Sequence, residues 1–161
     1  MGKLISIIMG SQSDMDTVSE AVNVLKEFNV DFEVKILSAH RTPKELAAYV
    51  EGASAKGVKV FLAAAGGAAA LAGVIAAHTI VPVIGIPIET STLKGMDSLL
   101  STVQMPGGIP VACMAIGKAG AKNAGLFALE ILGITDKTIR QKLLKYRGSM
   151  KAKIKSIKIK I

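Results

Sequence analysis

Three short segments of this 161-residue chain hold side chains suited to ligand binding and proton transfer. The first is Gly10-Ser11-Gln12-Ser13-Asp14. Its hydroxyls stand just ahead of a helical pattern, where free backbone N–H groups and the helix dipole favour phosphate. Asp14 suits the hydroxyls of a ribose. The same residues also suit plain capping, in which a Ser13 or Asp14 oxygen accepts a first-turn N–H bond, and the residues alone leave both readings open. The second segment is Ser38-Ala39-His40-Arg41-Thr42-Pro43. Arg41 can pair bidentately with phosphate, and His40 brings an imidazole, the side chain that exchanges protons near neutral pH. The third is Ala64–Gly73. Its Gly66, Gly67 and Gly73 allow either close approach of a ligand to the backbone or tight packing of a helix on a sheet.

The elements around these segments alternate. Lys3–Met9, Phe32–Leu37, Val58–Ala63, Val83–Ile86 and Val111–Ile116 are short β-branched or apolar runs that read as buried strands. Val18, Ala21, Val22 and Leu25 recur at i, i+3, i+4 and i+7, a helical spacing. Thr42 and Glu45 form a capping-box pattern with Pro43 at the first helical position, for a helix to about Lys56 that Gly57 ends. Asp97–Val103 and Ala119–Leu132 read as helices, and Thr135 and Asp136 offer a cap for a last one through about Lys151. This alternation predicts one α/β domain over 1–161: a three-layer, doubly wound parallel sheet of flavodoxin or Rossmann type. The three segments then follow strand ends and meet at one crevice.

Composition narrows the class further. Hydrophobic residues are 50% and charged residues 20%, which excludes a disordered chain. A single cysteine, Cys113, precludes an internal disulfide and fits a reducing, cytoplasmic setting. Nothing at the N-terminus reads as a secretion signal. The only histidines, His40 and His78, offer no zinc-ligand spacing, so no metal is expected. Val60–Ile88 carries no charged residue, but its Ala, Gly, His78, Pro82 and Pro87 suit strands and a small-residue helix better than a membrane span. The net charge of +8 is local. Residues 1–136 carry 10 Lys/Arg and 12 Asp/Glu, and residues 137–161 carry 10 Lys/Arg and no acid. With few aromatic residues for stacking bases, this basic segment, about 135–161, reads as a solvated helix and tail. No nucleic-acid partner is expected.

Longer strings then carry a resemblance. They are Ser38-Ala39-His40-Arg41-Thr42-Pro43, Pro82-Val83-Ile84-Gly85-Ile86-Pro87, the run from Asp97 to Ala112 (DSLLSTVQMPGGIPVA), and Asn123-Ala124-Gly125-Leu126. Together with Gly10–Asp14 and Gly67-Ala68-Ala69, in order over about residues 4–150, they resemble the PurE family of N5-carboxyaminoimidazole ribonucleotide mutases. The resemblance implies transfer of a carboxyl group from N5 to C4 of a ribonucleotide through released CO2, with no metal or biotin cofactor. It implies Ser11, Ser13 and Arg41 on the phosphate, Asp14 on the ribose and His40 as the proton shuttle. Ser38, Ala39, Gly66, Gly67 and Ala68 would surround the base and the CO2. It also implies a homo-octamer, with the last helix, through Ile139, Leu143 and Leu144, expected to pack on a neighbouring subunit.

The chain departs from the family string GGAAHLPG. Here Ala70 stands for the histidine and Ala72 for the proline, and Ala64 stands where glycine is usual. Three further readings therefore accompany the mutase: a carboxylase using CO2 directly, a non-catalytic ribonucleotide-binding relative, and a nucleic-acid-associated protein using the basic tail. A partner synthetase that makes the N5-carboxy compound with ATP would separate mutase from carboxylase.

Overall fold

The computed structural model describes residues 3–159. Five strands, β1 (Ile5–Met9), β2 (Phe32–Ile36), β3 (Val60–Ala65), β4 (Val83–Pro87) and β5 (Ala112–Cys113), form one all-parallel sheet in the order β2-β1-β3-β4-β5. This is the flavodoxin-type order of the doubly wound folds. Six helices cover it: α1 (Met15–Glu27), α2 (Pro43–Ala55), α3 (Leu71–Ala77), α4 (Met96–Val103), α5 (Gly117–Leu132) and α6 (Lys137–Ser156). The expected three-layer α/β domain is the one formed.

Strands β1, β3 and β4 lie in the middle of the sheet. Nearly every residue on them is buried, which is why they read as continuous apolar runs rather than alternating ones. On one face Ile5, Ile7, Leu62 and Ile84 pack against α1, α5 and α6. On the other Ile8, Phe61 and Ala63 pack against α2 and α3. Helix α4 seats beside β4 because Gly85 has no side chain: a Cβ there would lie 2.3 Å from Thr102 Cγ2.

Four expectations need correction. Strand β3 continues through Ala64 and Ala65, because the parallel ladder to β4 runs on to Ile86 and Pro87. The third loop is thus shorter, 66–70. Strand β5 has two residues only, an edge strand between Pro110, which has no N–H to give a ladder, and the start of α5. The Thr42 capping box does not form. Its Oγ1 accepts from Ser38 N at 2.8 Å and donates to Ser38 O at 3.1 Å, closing the second loop instead. Helix α6 packs on its own chain: Ile139 and Leu143 are buried, Lys142 Nζ donates to Phe28 O at 2.6 Å, and the Tyr146 ring lies 5.8 Å from that of Phe28. Leu144, expected on that face, is exposed.

Helix α6 is capped by Asp136, whose Oδ1 accepts from Thr138 N and Ile139 N, and it runs five residues past the expected end. Residues 157–159 follow it, exposed and non-helical; the expected tail continues into 160–161, outside the described residues. Val60–Ile88 divides into β3, the seven-residue α3 and β4. Among the described residues no helix is long and apolar enough to cross a membrane.

Candidate active site

Chain order reverses between β1 and β3: from β1 the chain steps to β2 on one side and then to β3 on the other. Loops leaving adjacent strands diverge there, opening a crevice at the strands' carboxyl ends. A cavity of about 410 Å³ occupies it. The first loop contributes Gly10, Ser11 and Asp14 to the cavity, the second Ser38 through Arg41, and the third, with the end of β3, Ala65, Gly66, Ala69, Ala70 and Leu71. The three segments singled out by residue type do meet. Of the expected site residues, Ser11, Asp14, Ser38, Ala39, His40, Arg41 and Gly66 line the cavity, whereas Ser13, Gly67 and Ala68 do not.

The first loop is built as a reciprocal cap. Residues Gln12–Asp14 form a 3-10 turn; Ser11 Oγ accepts from Ser13 N at 3.3 Å and Asp14 Oδ2 accepts from Ser11 N at 3.2 Å. Ser13 Oγ adds a 2.8 Å bond to Ser11 Oγ. The hydroxyls and the carboxylate read as ligand-binding candidates thus form the cap, and Ser13 is bonded to the cavity-lining Ser11. Asp14 is buried. Burial raises its carboxyl above the usual range, opposed by the Ser11 N–H, the Ser13 hydroxyl and the Arg41 charge.

The second loop is tied to the first by Arg41. Its Nη2 donates to Gly10 O at 2.9 Å and its Nε to Ser38 Oγ at 3.4 Å, while its backbone N–H reaches the same hydroxyl at 3.2 Å. The guanidinium is exposed and makes no ion pair among the described residues, so its charge is available to an anion. His40 is exposed at the cavity wall, and its ring is fixed by no hydrogen bond among the described residues. Asp14, His40 and Arg41 are the ionisable groups on the lining. His78 ends α3 and pairs with Glu51 at 3.1 Å, away from the cavity. Cys113 lies on β5, and burial pushes its thiol up.

The third loop is strained. Gly67 has φ 68° and Ala69 φ 39°, so two of three consecutive residues are left-handed. For Ala69 that costs about 1 kcal/mol. A buried hydroxyl holds the turn: Gly67 N donates to Ser98 Oγ at 3.0 Å. Residue-type reasoning placed Ser98 inside a motif but gave it no role. A serine in a helix carries no sign of what it touches, and this contact spans 31 positions.

Residues 4–153 match the family model described as AIR carboxylase. The chain is 56% identical over 147 residues to the N5-carboxyaminoimidazole ribonucleotide mutase of Pyrococcus abyssi, covering 91% of this chain and 83% of that protein. It is 53% identical over 151 residues to the enzyme of the same name from Bacillus subtilis, covering 94% and 93%. Among solved structures, Treponema denticola PurE superimposes with a TM-score of 0.86 at 29% identity, over 94% of each chain.

Proposed function

The chain belongs to the AIR carboxylase family, and from that premise we propose that it is an N5-carboxyaminoimidazole ribonucleotide mutase, an isomerase of purine biosynthesis working in the cytoplasm. One observation carries the reading: Asp14, His40 and Arg41 share one cavity at the switch point, in a chain about half identical to named mutases.

Each group has a task that its chemistry suits. Arg41 and the Ser11–Ser13 hydroxyl pair bind the phosphate at the start of α1, and Asp14 accepts from the ribose. Ser38, Ala39, Gly66, Gly67 and Ala68 enclose the base and the CO2. The N5–carbon bond breaks, CO2 leaves, and the electron pair returns to N5, which takes a proton from the His40 imidazolium. C4 then attacks the retained CO2 and a carbon–carbon bond forms. The neutral His40 imidazole takes the C4 proton and is restored. One imidazole thus gives and removes the single proton each turnover needs. The small walls at Ala69 and Ala70 suit a CO2 that must stay beside the ring.

Assembly as a homo-octamer belongs to the same reading. Helix α4 supports it by being turned inside out: it buries Ser98 and Thr102 and exposes Met96, Leu100 and Val103. An apolar stripe facing outward on a charge-poor body suits burial against another copy.

A second reading, direct carboxylation of aminoimidazole ribonucleotide by CO2, is favoured by Ala70, which lines the cavity where the mutase string has histidine. Supplying the purified protein with each substrate in turn separates the two. The mutase forms the 4-carboxy product from the N5-carboxy compound without added CO2. Product only from aminoimidazole ribonucleotide plus CO2 would replace the mutase with the carboxylase.

A further inference from the structure

Ser98 has no solvent exposure, and its hydroxyl bridges two segments at the carboxyl end of the sheet. It accepts from Gly67 N at 3.0 Å and donates to Ile88 O, just past the end of β4, at 2.7 Å. The Ser98 carbonyl in turn accepts from Thr102 Oγ1 at 2.8 Å, one turn along α4. The third loop also rests on this connection directly: a Cβ at Gly66 would touch Ile88 Cβ at 3.5 Å and Thr90 Cγ2 at 3.6 Å. The loop's own backbone hydrogen bonding is weak, with Ala69 N donating to Gly66 O at a long 3.4 Å. Its inner residues, Ala69 and Ala70, nevertheless form the cavity wall that also includes Ala39 and His40.

We propose that Ser98 is a positioning residue for the reaction: its hydroxyl clamps the Gly66–Ala70 loop to the β4–α4 connection and so fixes the wall that holds the base and CO2 near His40. This rests on the mutase reading of the cavity. Ser98 touches no reacting atom. It acts through the Gly67 N–H, which is the turn's anchor, and it leaves the first two loops, which bind phosphate and ribose, untouched. That division sets the test.

Ser98→Ala deletes one atom and breaks both bonds; Ser98→Cys keeps a weaker donor and acceptor in nearly the same volume. For each folded variant, three quantities are measured: amide hydrogen exchange, the affinities for ribose 5-phosphate and for the 4-carboxy product, and kcat and KM. The clamp predicts faster exchange in Ser98→Ala over 66–70 and not over 11–14 or 38–42. It predicts an unchanged ribose 5-phosphate affinity, and kcat/KM lower by about 10-fold, as for a buried hydrogen bond removed. Ser98→Cys should fall between Ser98→Ala and the parent, and it serves alone if Ser98→Ala does not fold. Parent-level kcat/KM in a folded Ser98→Ala overturns the proposal. So does an equal loss of ribose 5-phosphate affinity, which marks general damage. If the parent itself turns over neither carboxylation substrate, the proposed function fails, and the clamp is decided by exchange and by the two affinities: a change confined to the 66–70 loop and to product binding supports it, and any other pattern overturns it.

Discussion

Arg41 holds the Gly10 carbonyl oxygen at 2.9 Å, so the residue that offers charge to an anion also fastens the second loop to the first. The bond needs the reach and the fork of a guanidinium. Arg41→Lys keeps the charge but offers a single point donor. Its affinity for a nucleoside monophosphate should fall by about 10-fold, the usual scale for a charge-assisted bond. Calorimetric titration checks this, and parent-like affinity would show that charge alone suffices.

Asp14 links stability to pH. Burial holds its carboxyl above the usual range in the folded chain, so the folded state keeps the proton more readily than the unfolded one. The stability it lends is fully present below the ordinary carboxylate pKa of about 3.9 and is lost as pH rises through the raised value. At pH 7 the buried charge is therefore a cost. Asp14→Asn removes the charge while keeping an acceptor for the Ser11 N–H. The variant should melt above the parent at neutral pH, and the gap should close on acidification. A variant that melts lower at neutral pH would mean that the Ser11 and Arg41 contacts outweigh burial.

Met96, Leu100 and Val103 make the assembly testable. If their stripe is covered by another copy, Leu100→Glu places a charge in that contact. The parent should sediment at about eight times its 16.7 kDa protomer, and the variant as smaller species with its helical content intact. A parent that sediments as a stable monomer contradicts the octamer.

Ala70 and Ala72 can be returned to the family string. Ala72 is the second residue of α3, in the first turn, where an N–H has no intrahelical acceptor and proline is tolerated. Ala70→His with Ala72→Pro puts a second imidazole on the cavity wall. If His40 alone moves the proton, turnover should stay near the parent rate. A rise of about 10²-fold or more, the scale of an added proton-transfer group, would show that the chain is a weakened mutase lacking its second imidazole.

What the sequence made legible and what it hid divide along physical lines. Strands β1, β3 and β4 were readable because burial on both faces demands unbroken apolar runs, and α1 because its buried residues recur at helical spacing. The three loops were readable because strand ends in such a sheet converge. Thr42 misled because its hydroxyl has two competing backbone partners, and a contact to Ser38 within the loop replaced the cap. Strand β5 was over-read because apolar residues continue past the two that pair. The outward face of α4 and the role of Ser98 depend on where Gly85 lets the helix sit, a tertiary fact that no local pattern carries. The same holds for α6, whose Ile139 and Leu143 show an apolar face but not whose core it joins.

The central claim is that His40 alone carries the proton, and turnover of His40→Asn tests it most directly. Arg41 is tied to the Gly10 carbonyl, and Asp14 is buried and committed to the Ser11 N–H. Asparagine keeps a polar side chain but cannot exchange a proton in the working range. With the N5-carboxy substrate, the rate should fall by about 10²- to 10⁴-fold while calorimetry shows the nucleotide still bound with parent affinity. A His40→Asn protein that turns over near the parent rate would contradict the account and require another group to move the proton.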